Sequence, residues 1–314
     1  LNRIGDLYYE GKGVEKNNSL AIEYYTQSLK VDYLDQFKNI YVPQQQMFYI
    51  KQDVDYLYQK FKAETFFKLG RIYLDFDIKK SIENFALSAK LNNDKAQFIL
   101  GLIYLNHTSG VNNYQKAKHY FELSAQNNNS MALFQLGNIY FFRLGVDEND
   151  NYQKALYYYN YASKLGNSDA NVFLGYLYLD GIIVEQKHQI AFNYFKMAEK
   201  QGNPKAYSAL GYLCLSGIIE KNFSKAHYYY DKLVKLNNSN GFLGLGCIHF
   251  YGLGVEKDDE KAIQYYEYSA KMGNSEAQYF LGTLYLSRFL DRSIYSKAIS
   301  YLLFQFCTQL PGLF

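Results

Sequence analysis

Glycines, histidines, cysteines and carboxylates are the residue types from which a catalytic or cofactor site would be built, and their spacing in this chain builds none. Gly241, Gly244 and Gly246, and Gly11 and Gly13 around Lys12, hold fragments of a phosphate-cradling loop. Such a loop aims backbone N–H groups at phosphate between a strand and a helix, ending in Gly-Lys-Ser/Thr. Neither fragment follows a strand pattern, and Gly-Lys-Ser/Thr does not occur. No two of His107, His119, His188, His227 and His249 are four apart, and none lies at ligand spacing from a cysteine. The acidic pairs Asp258/Asp259 and Asp147/Glu148 fall at helix starts, where negative charge caps the helix and complements its dipole. No serine elbow or Cys–His arrangement is present. The sequence offers no catalytic residue, no metal ligand set and no cofactor site.

Composition narrows the class further. Over 314 residues, 33 basic against 30 acidic side chains leave a net charge of +3, which gives no support to a nucleic-acid partner. A hydrophobic share of 48% excludes disorder, and no apolar run is long enough to span a bilayer. Three prolines in the whole chain fit a molecule made mostly of helix. Cys214, Cys247 and Cys307 are too few for a disulfide framework and favour a cytoplasmic chain. Five N-x-S/T triplets, at Asn17, Asn106, Asn128, Asn222 and Asn237, leave the endoplasmic-reticulum lumen as the alternative. Asn-Ser turns in an Asn-rich chain also generate such triplets unused. Leu1 is not an initiator Met and stands inside a patterned segment, so a fragment of a longer protein is expected.

What must position all these residues is a repeat. An aliphatic-Gly-x-x-Tyr phrase, a turn, then Ala-x-x-aromatic-aromatic recurs around Gly5, Gly70, Gly101, Gly137, Gly175, Gly211, Gly246 and Gly282. From Gly70 onward the intervals are 31, 36, 38, 36, 35 and 36 residues. Between Gly5 and Gly70, Phe37 to Tyr41 (FKNIY) parallels Leu136 to Tyr140 (LGNIY) with Lys38 in the glycine's place. Residues 31–62 are therefore a degenerate repeat or, given Pro43 and Gln44 to Gln46, an insertion. Eight clear repeats plus this one make a single solenoid over 1–307, with 308–314 as a tail.

Each repeat reads as two helices. Leu136 and Tyr140, or Leu174 and Tyr178, are four apart and share a face of the first helix. A glycine between them costs about 1 kcal/mol against alanine, so its recurrence means a neighbour approaches too closely for a Cβ. In the second helix an alanine precedes aromatics at i+3 and i+4, as in Ala21/Tyr24/Tyr25, Ala155/Tyr158/Tyr159 and Ala191/Tyr194/Phe195. The alanine makes room, and the rings are expected to fill the space between repeats. Turns such as YGLGVEKD join the helices of a repeat, and Gly-Asn stops separate one repeat from the next. One such pair cannot bury its apolar stripe alone, so the repeats stack, giving an all-α, α-α superhelix.

The string Tyr251 to Tyr285 (YGLGVEKDDEKAIQYYEYSAKMGNSEAQYFLGTLY) closely resembles the Sel-one-like repeat (SLR), whose G-x-G-V turn, K-A-x-x-Y-Y run and G-N-x-x-A-x-x-x-L-G-x-x-Y phrase it reproduces. The likeness is specific around Gly5, Gly137, Gly175, Gly211, Gly246 and Gly282 and weaker around Gly70 and Gly101. The related tetratricopeptide repeat has a usual period of 34 and a Trp anchor that is absent here. The resemblance implies a right-handed solenoid whose first helices line a concave surface. It also implies a non-enzymatic adaptor. Two alternatives stay open: a luminal adaptor of a ubiquitin-ligase complex in endoplasmic-reticulum-associated degradation, as one member of that family is, or a regulatory repeat region of a larger protein whose catalytic domain, for example a kinase, lies outside this sequence. A secreted bacterial branch with a disulfide in each repeat does not fit these cysteines.

Two rows should face that concave surface. Three residues before the glycines stand Phe67, Phe98, Phe134, Val172, Ser208, Leu243 and Tyr279; one residue after stand Arg71, Leu102, Asn138, Tyr176, Tyr212, Cys247 and Thr283. The second row varies chemically, as a surface that reads a partner would. Arg71, Phe98, Phe134, Asn138, Tyr176, Tyr212 and Tyr279 are the candidate contacts for a protein or peptide. The apolar run Ile299 to Phe306 lacks the polar outer face of a terminal repeat, so further chain, a partner or self-association is expected there.

Overall fold

The computed structural model describes residues 1–31, 44–106, 111–146 and 152–289, and those residues form helices and turns with no strand. The helices fall into two bodies, Leu1–Leu165 and Gly166–Phe314. The first contains α1 (Asn2–Glu10), α2 (Asn18–Leu29), α3 (Gln44–Tyr73), α4 (Ile78–Lys90), α5 (Asp94–Asn106), α6 (Val111–Gln126), α7 (Ser130–Phe141) and α8 (Tyr152–Lys164). The second contains α9 (Ser168–Asp180), α10 (His188–Lys200), α11 (Pro204–Ser216), α12 (Phe223–Lys235), α13 (Ser239–Tyr251), α14 (Asp259–Lys271) and α15 (Ser275–Phe289). Consecutive helices pack as pairs, α1 on α2 through α13 on α14, and each pair packs on the next within its body. Residues 44–73 form one continuous helix, so 44–62 run directly into the turn that carries Gly70. Lys38, Pro43, His107, the Asp147/Glu148 pair, Cys307 and the Ile299 to Phe306 run lie outside the described residues.

Four of the described turns within a pair are built the same way. The backbone N–H of the residue capping the second helix donates to a carbonyl near the end of the first: Asn17 to Tyr8 at 2.9 Å, Lys187 to Tyr178 at 2.8 Å, Asn222 to Cys214 at 2.9 Å and Asp258 to His249 at 3.0 Å. Gly252 and Gly254 reach φ of 64° and 74° to make this reversal, and Ile183 takes the same left-handed conformation without being glycine.

Between pairs, asparagine does two jobs. Asn203 accepts from the Lys205 N–H at 2.9 Å as the cap of α11, with Pro204 at the first helical position. Its amide also donates back to the preceding repeat, to Ser168 Oγ at 3.0 Å and Asp169 Oδ1 at 3.2 Å. Asn129 and Asn274 repeat the pattern onto Asp94 and Asn240. Only a side chain with both an acceptor and a donor can fill this position.

Candidate functional site

The recurring glycine and the second aromatic of the following helix form one structural unit. A Cβ built on Gly5, Gly70, Gly101, Gly137, Gly175, Gly211 or Gly246 would stand within 3.0 Å of the ring of Tyr25, Phe85, Phe121, Tyr159, Phe195, Tyr230 or Tyr266, respectively. These rings sit between the two helices of a repeat, and Tyr230 and Tyr266 also reach the next repeat, at Gly244 and Phe280. Tyr25, Phe85, Phe121, Tyr159 and Phe195 are wholly buried. At Gly282 nothing among the described residues lies within 4 Å.

The residue after the glycine answers this ring. At three of the tyrosine rings that residue accepts the hydroxyl: Tyr25 donates to Asp6 at 2.7 Å, Tyr159 to Asn138 at 2.9 Å and Tyr266 to Cys247 Sγ at 3.5 Å. Where the ring is phenylalanine, the position holds Arg71, Leu102 or Tyr176, and no acceptor is required. A buried hydroxyl without an acceptor costs about 1–3 kcal/mol, which is reason enough for the covariation. Burial pushes the Tyr159 phenol up; burial and then the Asp6 hydrogen bond do the same at Tyr25. Asp6 also pairs with Lys68 at 2.7 Å. Sequence reasoning passed over Asp6, although its place directly after Gly5 marks it.

The first aromatic of the second helix has its own partner three residues past the glycine. Tyr8/Tyr24, Tyr104/Tyr120, Tyr140/Tyr158 and Tyr178/Tyr194 stack with centroids 5.5–5.8 Å apart and planes within 11°. His249 takes the tyrosine's place against Tyr265 at 5.6 Å and 18°. It is 6% exposed, and its Nδ1 has no hydrogen-bond partner among the described residues. Burial, then the charge of Lys261, holds its pKa below the ordinary 6.5. The glycine cluster of α13 is also packing: Gly246 faces Tyr266, Gly244 faces Tyr230, and a Cβ on Gly241 would meet Leu233 Cβ and Val234 N at 2.6 Å.

The candidate contacts divide by exposure. Arg71 is exposed, with its guanidinium 5.6 Å from the centre of the Tyr9 ring, and Tyr279 is exposed beside Phe280. Phe98 and Phe134 are partly buried against Phe121 and Tyr159. Asn138 is committed to Tyr159 and Gln135. Tyr176 is only 8% exposed, with its ring edge-on to Phe195 at 5.0 Å, and Tyr212 is half-buried against the same core. Cys214 and Cys247 are buried thiols outside any disulfide, and burial pushes the Cys214 thiol up. Among the described residues no His/Cys/Asp/Glu group is placed to hold a metal, and no helix is long and apolar enough to cross a membrane.

The Sel1 repeat model matches this chain at residues 1–30, 94–129, 130–167, 168–203, 204–238, 242–274 and 275–303. The Gly70 pair falls between matches, yet α3 and α4 carry the same glycine–ring contact, with Phe85 Cδ1 2.7 Å from the built Cβ. The last match takes in Ile299, so the apolar run begins inside a repeat. The protective antigen c5321 of uropathogenic Escherichia coli, which displays an SLR fold, is similar at 26% identity and a TM-score of 0.59 over 91% of this chain; the match spans 64% of that antigen. A Sel1 repeat protein from Oxalobacter formigenes is similar in fold, at 22% identity and a TM-score of 0.66 over 90% of this chain and 75% of its own. No curated protein sequence matched.

Proposed function

This chain belongs to the Sel1 repeat family, and we propose that it is a non-enzymatic scaffold whose first helices offer a concave groove to a protein or peptide partner. Sel1 repeat proteins generally mediate protein–protein interaction. The supporting observation in this chain is that the repeated glycine and its ring are matched inside each pair while the pairs share a continuous buried core. Rings, glycines and hydroxyl acceptors are matched within a pair, and side chains such as Arg71, Tyr212 and Tyr279 remain reachable on first helices. Such a surface is ordered before binding, which lowers the entropy cost of capture, and a few aromatic or arginine anchors then carry most of the affinity.

Alanine substitution of Arg71, Tyr212 and Tyr279, compared with Tyr157 and Tyr228 exposed on second helices, tests the reading against peptides selected on the whole chain. First-helix changes are expected to weaken binding about tenfold and second-helix changes to leave it intact. Loss confined to Tyr157→Ala and Tyr228→Ala would refute the groove. Tyr176 is left out because truncating it opens the core.

A further inference from the structure

Tyr9 stands in the last turn of α1, and two cations from different elements meet on its ring. Arg71 of α3 holds its guanidinium carbon 5.6 Å from the ring centre, and Lys16 of the α1–α2 turn holds its Nζ at 5.7 Å. Arg71 and Lys16 are exposed and Tyr9 is half-buried. None of the three side chains has a hydrogen-bond or ion-pair partner among the described residues. The two carboxylates of α1 are already taken: Glu10 pairs with Lys12 at 2.6 Å, and Asp6 pairs with Lys68 at 2.7 Å while accepting the Tyr25 hydroxyl. Glu15, beside Lys16 in the turn, is exposed and makes no ion pair among the described residues. Three donors, two of them charged, thus gather at one ring without an acceptor.

The α13–α14 pair holds the same register with the charge answered from within. Phe250 stands four residues after Gly246, as Tyr9 stands four after Gly5, and Lys257 lies over its ring at 5.4 Å. The stem of Lys257 crosses Gly252 as that of Lys16 crosses Gly11, each 3.3 Å from the Cβ the glycine lacks. Lys257 then pairs with Asp259 at 3.2 Å. In the first pair Asn18 fills the place of Asp259, so Lys16 has no acid there, and Arg71 adds a second positive charge. Like charges gathered on one ring repel, and an anion between them relieves the repulsion and gains charge-assisted hydrogen bonds.

We propose that Arg71, Lys16 and Tyr9 form a subsite for the carboxylate of an Asp or Glu side chain in a peptide segment laid along the first helices. Arg71 supplies a planar fork that matches a carboxylate, and Lys16 a compact point charge. Their contacts with the Tyr9 ring hold both heads in place before the partner arrives, which lowers the cost of ordering them. The proposal rests on the scaffold reading above and adds the chemistry of one position in the partner.

A random-peptide display library, fused through its C-terminus so that side chains supply the only carboxylates, is panned on the whole chain to test both readings and separate them. Enriched peptides are expected to share one Asp or Glu position. Replacing that residue by Asn or Gln should weaken binding to the unaltered chain about tenfold. The same replacement should have little effect on a chain carrying Arg71→Gln and Lys16→Gln, two exposed positions whose exchange leaves the core untouched. Asn18→Asp, which recreates the Lys257–Asp259 arrangement, should reduce the preference for the acid. Enriched peptides with no shared acidic position, an equal loss on the Arg71→Gln/Lys16→Gln chain, or an undiminished preference with Asn18→Asp overturn the subsite and leave the scaffold standing. No enrichment at all overturns both.

Discussion

Gly175→Ala sets helix propensity against packing, and the geometry says which prevails. Alanine in a helix interior is favoured over glycine by about 1 kcal/mol. At Gly175, however, a Cβ would lie 2.5, 2.7 and 2.8 Å from three carbons of the Phe195 ring, where ordinary contact is 3.4–4 Å. The ring would have to retreat by roughly 1 Å, and it is 0% exposed, with packed neighbours on every side. Overpacking of this severity belongs at the upper end of its range, about 3 kcal/mol, leaving a net loss of about 2 kcal/mol. Phe195→Leu alone should cost about 1–2 kcal/mol through lost burial. With the ring gone the obstacle is gone, and Gly175→Ala in that background should become neutral or stabilising. Urea midpoints followed by circular dichroism on the four proteins give the coupling, expected near 3 kcal/mol. Additive losses, or a Gly175→Ala chain as stable as the parent, would refute the close-contact account.

Asn138→Leu removes the acceptor of Tyr159 and should cost about 1–3 kcal/mol; adding Tyr159→Phe recreates the Leu102/Phe121 pairing and should recover much of it, read from the same midpoints. The folded chain keeps His249 neutral where the unfolded chain protonates it, so stability should fall as pH drops through about 6.5. His249→Tyr restores the pairing of Tyr140 with Tyr158, and urea titrations at about pH 7 and about pH 5 should then differ less than in the parent. Asn203→Asp keeps the cap of α11 but loses the amide donor and sets a second carboxylate beside Asp169. It should lower thermal stability at neutral pH by about 1–2 kcal/mol, and a midpoint equal to the parent's would show the amide contact to be idle.

The helix-pair repeat was legible because its signals are local: a recurring glycine, alanine ahead of paired aromatics, Gly-Asn or Asn-Asn at the stops. The partner of each ring was harder to read, since it lies across the pair. The variation among Asp6, Leu102, Asn138 and Cys247 looks like freedom along one helix and becomes a rule only beside Tyr25, Phe121, Tyr159 and Tyr266. Part of the row expected to read a partner is thus occupied by the core, and Asn138, Tyr176 and Cys247 face inward obligations first. Gly-Asn at the stops was legible as a helix end, while the asparagine's amide contact to the preceding repeat was not, because that needs the stacking geometry. His249 looked like a lone ring in the sequence; only its stack on Tyr265 shows it as a substituted tyrosine.

The hydroxyl of Tyr159 and its acceptor Asn138 are encoded 21 residues apart, inside one cassette of the gene. A duplication or deletion of whole cassettes copies or removes lock and key together, so the array can lengthen or shorten without stranding a polar group in its interior. The polar contacts that cross a seam, such as the asparagine amide on Asp169 or Lys68 on Asp6, must find new neighbours, and a cassette that opens with a small polar residue can receive the asparagine.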